Sequence, residues 1–379
     1  MRRQVGEKVI GVFLAMVLVL TACTGGGQKN EPIKLGYIGA LSGLNKVLGE
    51  WDTYGIKLVL DEVNAQGGVC GGRQLQLIEY DDQADTAKAM DAAQKLINDD
   101  KAVLVFATTN SNTSLAVLPL LTEAKIPQVT GGLSVDLTKQ GSAYIFRKVG
   151  AGNVFESTLV DYLVQQRGFK SFAIISDSSA YGTGQADYEQ AALRRNNLES
   201  VAREAYEPNA TDFKEQLSRI IALKPEVLLL GGSEVASGLI AKQARELGFT
   251  GQIAGGAATG TPKFIEMAGN EAAEGVIFAS PYVDNNLNDE TRDFAARYQA
   301  KWGSEPENHG AKAYDGAMLA VEAIKRSCDN LTGEEIARQL HGIQNYQGLQ
   351  GVFNFQENGE GIAVAQLGII HDGKLTPLK

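Results

Sequence analysis

Two successive runs in which short apolar segments alternate with helical ones constrain this chain more than any other feature. The first begins at Ile33. "IKLGYIGALS" reads as a strand, and "YGIKLVLDEVNAQ" then sets Ile56, Val59, Leu60 and Val63 on one helical face. "QLQLIEYDD", "AVLVFAT", "IPQVTGG" and "AYIFRKVG" follow as strands, with helices predicted over about 86–98 and 111–124. The second run repeats the pattern. Helices over about 154–166, 184–195 and 213–223, and a helical face at Ile240, Ala244 and Leu247, interleave with "SFAIISD", "ESVAREAY", "EVLLLGG" and "GQIAGG". Strands that are apolar along their whole length are buried on both faces, which a parallel sheet covered by helices satisfies. At 379 residues the chain is long for one core, so the two runs, each roughly 120 residues, imply an α/β protein of two Rossmann-like lobes.

The end of the chain adds no third lobe. "GVIFASPY" is a strand, helices are expected near 290–302, 311–326 and 333–340, and "GVFNF" and "AVAQLGII" read as a hairpin around "QENGEG". In the helix over 311–326, Ala313, Ala317, Ala320, Val321 and Ile324 share a face. These pieces are too small to fold alone, so they join the lobes already built, and the chain crosses between lobes more than once.

The start is of a different kind. "MRRQVGEK" is basic, and Val9 to Ala22 carries no charge. That run is shorter than the roughly 20 apolar residues of a spanning helix, and it has the order of a secretory signal over 1–22. Leu20-Thr21-Ala22-Cys23 resembles the bacterial lipobox, which implies cleavage before Cys23 and lipidation of its thiol. Residues 23–32, "CTGGGQKNEP", read as a flexible linker. The body is expected outside the cytoplasm, at the outer face of the cytoplasmic membrane or in the periplasm, held by lipid alone. Formal charge is −10 with no basic block, which argues against nucleic acid and against broad attachment to anionic lipid. Cys70 and Cys328 lie in loop-like surroundings. In an exported protein they form a bridge or remain two free thiols.

Catalytic signals are absent. His309, His341 and His371 stand alone and read as surface or structural residues. There is no cysteine–histidine cluster with metal spacing, no GxSxG elbow, no P-loop and no GxGxxG. The pairs Asp81-Asp82 and Asp99-Asp100 read as solvated element ends. No metal, cofactor or catalytic residue is expected. Two strand ends do suggest small-molecule binding, because ligands of open parallel sheets lie beyond the strands' carboxyl ends. Thr109, Asn110, Ser111, Asn112 and Thr113 crowd one helix start with hydroxyls, amides and backbone N–H groups. That suits a carboxylate, although plain capping by Ser111 or Asn112 accounts for the same composition. In "VTGGLSVDL", Gly131 and Gly132 allow close approach to the backbone and Ser134 adds a hydroxyl, or the segment is an ordinary Gly-rich turn.

From Ile33 to about Lys374, "IKLGYIGALSG", "DEVNAQGGV", "LQLIEYDDQ", "DSSAYGTG", "KPEVLLLGG", "AKQARELG", "AEGVIFASP" and "AYDGAMLAVEAI" occur in an order and spacing that resembles the branched-chain amino-acid type of solute-binding protein of bacterial ABC importers, with the type I periplasmic-binding fold. The resemblance implies two lobes that close on a ligand, joined by three crossovers, here near Gly150, Pro281 and Gly348. Lobe 1 is then 33–149 plus 282–347, and lobe 2 is 150–281 plus 348–379. It also implies roles: Ser111 for the ligand carboxylate, Gly132 and Ser134 for backbone and hydroxyl contacts, and Tyr181 to pack on the ligand. Departures accompany these matches. Ala257, followed by Ala258, stands where amino-acid binders carry an acid for the ammonium, so Glu234 or Asp177 replaces it or the ligand is not an α-amino acid. Ser233 replaces an aromatic, and Leu48 stands where many carry Tyr, with Trp51 nearby as a substitute wall. The implied function is delivery of a small carboxylate-bearing solute to a permease and its ATPase by a monomeric lipoprotein. A sensor of the same fold for an amide, urea or aromatic acid is the alternative, and an exported α/β enzyme is the third reading.

Overall fold

The computed structural model describes Met1 and residues 31–107, 109–283 and 287–378. The expected signal segment after Met1 and the lipidation site Cys23 lie outside the described residues. Among those residues no helix is long and apolar enough to cross a membrane.

The alternation builds the same parallel order twice. β1 (Ile33–Gly39), β2 (Leu75–Asp81), β3 (Leu104–Ala107), β4 (Gln128–Thr130) and β5 (Ile145–Arg147) form one sheet in the order β2-β1-β3-β4-β5. α1 (Lys46–Ala65), α2 (Thr86–Lys95) and α3 (Ser111–Glu123) connect them. In the second sheet β6 (Phe172–Asp177), β7 (Ser200–Tyr206), β8 (Val227–Gly231), β9 (Gln252–Gly255) and β10 (Ile277–Ser280) run parallel in the matching order β7-β6-β8-β9-β10. Its helices are α4 (Gly152–Asp161), α5 (Ala180–Arg195), α6 (Lys214–Ala222), α7 (Glu234–Glu246) and the short α8 (Pro262–Ala268) and α9 (Asn270–Ala273). The central strands β3 and β8 are buried at every residue, which is why they read as continuous apolar runs. Edge strand β7 instead alternates, exposing Val201, Arg203 and Ala205 on one face. α5 starts at Ala180, earlier than the expected 184, because Ser179 caps it by accepting from the Gly182 N–H. Leu247 lies just past α7 and is 38% exposed, so it is not part of that helix's buried face.

The last third completes both units. α10 (Asp289–Trp302), α11 (Asn308–Arg326) and α12 (Gly333–His341) follow the second sheet. The small face of α11 is buried as its periodicity predicts, with Ala313, Ala317 and Ala320 fully covered in a core shared with Leu35, Phe106 and Phe146. Its backbone lies so close to α1 that a Cβ on Gly55 would sit 2.3 Å from the Gly310 carbonyl oxygen.

The expected hairpin is a different structure. β11 (Tyr346–Gly348) pairs antiparallel with β12 (Gly351–Phe353), while β13 (Gln366–His371) pairs with β10 and with β14 (Lys374–Pro377) in the second sheet. "QENGEG" does turn the chain, but the return limb is short: Asn354 N–H bonds the Gly361 carbonyl and Gln356 N–H that of Glu360. Phe353, Phe355 and Ile362 are held in the first sheet's core. Burying a large apolar side chain is worth about 1.5–3 kcal/mol, so the chain leaves the first unit after Ile362 and not at Gly348. The expected assignment of 348–362 to lobe 2 is corrected accordingly.

Cys70, in the loop after α1, and Cys328, just beyond α11, form a disulfide with Cα atoms 5.0 Å apart at a sequence separation of 258. Closing so long a loop restricts the unfolded chain, and removing a native disulfide costs about 2–5 kcal/mol. Cys70→Ser with Cys328→Ser is expected to lower the unfolding free energy measured in urea by an amount in that range, with a lower midpoint, while leaving the far-UV circular dichroism unchanged. An unchanged midpoint would contradict a stabilising bridge.

Candidate ligand-binding site

The carboxyl ends of the two parallel sheets face each other across a cleft of about 470 Å³. In each sheet the strand order reverses beside its first strand, between β1 and β3 and between β6 and β8, which is where open α/β sheets leave a crevice. Ala40, Asp85, Thr109, Asn112 and Leu133 line it from the first unit, and Asp177, Ser179, Tyr181, Ser233, Glu234, Ala257 and Ala258 from the second. His309 and Lys312, one turn apart on α11, complete the wall.

Among the helix N-termini that reach this cleft, those of α2, α3, α5 and α7 are capped by a side chain, whereas that of α1, at Asn45, has no side-chain cap. Asp85 accepts from Lys88 N–H, Asn110 from the N–H groups of Asn112 and Thr113, Ser179 from Gly182, and Ser233 from Ala236. The cap of α3 is therefore Asn110, not Ser111 or Asn112. Asn112 instead spans the cleft, its Oδ1 accepting from Ala180 N–H at 2.9 Å. On another side Val135 N–H donates to the Tyr188 hydroxyl at 3.0 Å, so the two units touch through hydrogen bonds on either side of the opening.

Tyr181, Ser233, Glu234 and Ala257 line the cleft as expected positions. Ser111, Gly132 and Ser134 do not. The Ser111 hydroxyl is 1% exposed and accepts from Leu133 and Ser134 N–H, each at 3.2 Å, while Gly132 N–H donates to Thr130 Oγ1 and Ser134 Oγ accepts from Asp136 N–H. The backbone N–H groups expected to meet a carboxylate are consumed by hydroxyl oxygens inside the loop, and Leu133 is the residue of that loop that lines the cleft. Trp51 also lies behind the wall, stacked on His309 with ring centroids 5.8 Å apart; Leu48 is the residue of that helix turn that faces the cleft. The Tyr181 phenol is pushed well above its ordinary pKa, first by burial and then by the charges of Glu156, Glu234 and Asp177, so it stays protonated and can donate.

His309 and Lys312 are the residues that sequence reasoning missed. His309, expected as an isolated surface or structural residue, is 4% exposed, and its Nε2 lies 3.2 Å from Glu234 Oε1 across the two units. The Lys312 ammonium is 3% exposed and donates to Thr109 Oγ1 at 2.6 Å. Burial lowers its pKa to about 8, opposed by the carboxylates of Asp52, Glu307 and Glu234 and reinforced by Lys148. Behind it Lys148 and Asp52 form a fully buried ion pair at 3.3 Å. The available signal was the i,i+3 pair in "NHGAKAYDG" at a helix start, but only the tertiary path brings that helix to the first unit.

The second unit's wall is backed by acids. Gln185 accepts from Gly232 N–H and donates to Glu156 at 2.9 Å, and Glu189 lies beside Glu156 with both carboxyls fully buried. Burial raises Glu156 to about 7 and Glu189 further, the Glu156 charge adding to the effect. Among the described residues the group with metal-type ligands is Glu274, His371 and Asp372. All three are exposed at the amino end of β10, away from the cleft, with His371 Nδ1 already 2.7 Å from Glu274.

A sequence model described as periplasmic binding protein matches residues 32–374. The chain is 29% identical over 310 residues to the Leu/Ile/Val-binding protein BraC3 of Rhizobium johnstonii, covering 81% of this chain and 82% of that one. Among solved structures, the leucine-binding protein LivK of Thermotoga maritima superposes with a TM-score of 0.86 at 26% identity, over 92% of this chain and 98% of its own. The branched-chain amino acid transporter substrate-binding protein LivJ of Streptococcus pneumoniae, in complex with isoleucine, gives 0.85 at 25% identity, over 91% and 97%.

The buried acids set a pH dependence. A carboxyl whose folded pKa is raised holds its proton in the folded chain, so its contribution is present below the ordinary carboxylate range and lost as pH rises through the folded value. Glu156 at about 7, with Asp82 and Asp315 both raised by burial to about 6, act in the same direction. The melting temperature is expected to fall between pH 5 and pH 8, and Glu156→Gln to flatten that slope. An equally steep slope in the variant would remove Glu156 from the account.

Proposed function

Since the chain belongs to the periplasmic binding protein family, we propose that it is the extracytoplasmic solute-binding lipoprotein of an ABC importer, which closes on a small carboxylate-bearing solute and delivers it to a membrane permease and its ATPase. The observation that carries this reading is the cleft itself: strand carboxyl ends of both sheets converge on a space with an apolar wall of Leu48, Leu133, Tyr181 and Ala257 and one buried ammonium, Lys312. The printed names of the relatives, Leu/Ile/Val-binding and leucine-binding proteins, support an amino acid or a related carboxylate as the solute. These relatives are binding proteins, in keeping with a non-catalytic role. Residues 33–149 with 282–362 would move as one body and 150–281 with 366–378 as the other. Closure is then a shift of population toward the state in which both walls touch the solute. Tyr181, Ser233 and Glu234 would contribute the second body's contacts. The protein works as a monomer in this reading. The segment "LTAC" supports lipid attachment at Cys23, which leaves a linker of about eight residues, at most about 30 Å when extended, so the binder stays at the membrane face.

Two measurements test this. In a thermal-shift screen, small apolar carboxylates are expected to raise the unfolding midpoint, by about 2.7 kcal/mol of stability at 100 times the dissociation constant, while the matching amides do not. Stabilisation by amides alone would overturn the carboxylate reading. Cys23→Ser is expected to move the protein from the membrane fraction to the soluble fraction, and an unaltered membrane fraction would remove the lipid anchor.

A further inference from the structure

The charges around the cleft are unequally committed. Asp85 caps α2, and Asp177 accepts from the N–H and hydroxyl of Ser179. Glu234 is paired with His309, Glu307 caps α11 by accepting from His309 and Gly310 N–H, and Asp52 is paired with Lys148. Lys312 differs from all of these. Its ammonium has a hydroxyl, Thr109 Oγ1, as its hydrogen-bond acceptor, and no described carboxylate forms an ion pair with it. A buried cation without a close counter-charge is costly, and the cleft side is where that counter-charge can arrive. The carboxylates of the facing wall, Asp177 and Glu234, are the ones already bonded to Ser179 and His309, and beside them Ala257 and Ala258 are 6% and 4% exposed methyl surfaces.

Resting on the carboxylate reading above, we propose that the solute is an apolar carboxylate without an α-ammonium group, a branched 2-oxo acid or its plain acid analogue, and that Lys312 holds its carboxylate. An α-ammonium here would approach Lys312, a like charge, while every acid near it is already engaged. A 2-oxo or unsubstituted carbon in the same place brings no second positive charge. The remaining N–H groups of Lys312 are donors for two carboxylate oxygens, or for one of them and a 2-oxo oxygen. Its pKa of about 8 leaves it mostly protonated at neutral pH. The branched chain of such an acid has Leu48, Leu133 and the two alanines to lie against.

Titration calorimetry of the purified full chain at pH 7 decides it, with 4-methyl-2-oxopentanoate, 4-methylpentanoate, L-leucine and L-leucinamide as probes. The two acids without ammonium are expected to bind at least about tenfold more tightly than L-leucine. Lys312→Met is expected to weaken them by about tenfold or more, and Lys312→Arg, which keeps the charge, by less. L-Leucine binding as tightly as the 2-oxo acid, or no binding of either plain acid, would overturn this inference and leave the carboxylate reading standing if leucine binds. Binding of the amide alone would overturn both. Full affinity for the 2-oxo acid in Lys312→Met would remove Lys312 from the site.

Discussion

Arg147 is completely buried at the end of β5, and each face of its guanidinium is tied to a different part of the first unit. It donates to the carbonyls of Gly132 and Ser134 and pairs with Glu360 at 3.1 Å. A buried guanidinium is tolerable only when its donors are matched, so these partners are held where they are. The consequence reaches outward in two directions. The loop after β4 has its carbonyls bound by Arg147 and its N–H groups bound by Ser111, which saturates its backbone and presents Leu133 to the cleft. Glu360 is drawn back to the first sheet, which keeps Phe353 and Phe355 there and delays the last passage to the second sheet.

The same principle governs the ionic groups behind the cleft. His309 is hydrogen-bonded to Glu234 in the cleft wall, and Lys148 with Asp52 is an ion pair withdrawn from water. Removing one partner of such a pair leaves an uncompensated charge, a loss of about 3–5 kcal/mol. The first unit therefore carries its positive charge in a fixed frame, and the second meets it through acids that are capped or paired. The contact between His309 and Glu234 joins the two units, so their relative position and the charge inside the cleft are not independent quantities.

Much of the fold was legible because burial on both faces leaves a plain trace: apolar strands of a few residues, separated by helices with one apolar stripe. The order of strands within each sheet was not in that trace and comes from the packing. What failed did so for identifiable reasons. "QENGEG" is a turn, but turn chemistry does not say which limb continues, and the aromatic residues at 353 and 355 settled it through packing. Ser111 and Ser134 had the composition of an anion site, yet their hydroxyl oxygens accept from N–H groups of their own loop, and Leu133 lines the cleft in their place. His309 and Lys312 were invisible as site residues because they enter the cleft on a helix that follows all the parallel strands of the second sheet. Glu156 and Glu189 carried no mark of burial in the sequence, since nothing local shows the face of a helix that packs under a glycine-lined wall.

That late helix has a consequence for how the chain is made. α1 near the start and α11 near the end pack backbone to backbone at Gly55 and Gly310, and the disulfide from Cys70 to Cys328 lies just beyond them. Every strand of the parallel part of the second sheet is synthesised before α11 exists. Emerging from the ribosome, the second unit can acquire all of its parallel strands while the first still lacks the helix that covers one of its faces. Domains commonly fold as they emerge, N-terminal first; here the N-terminal unit must wait, with its apolar face open, and oxidation of the two thiols can only follow its completion.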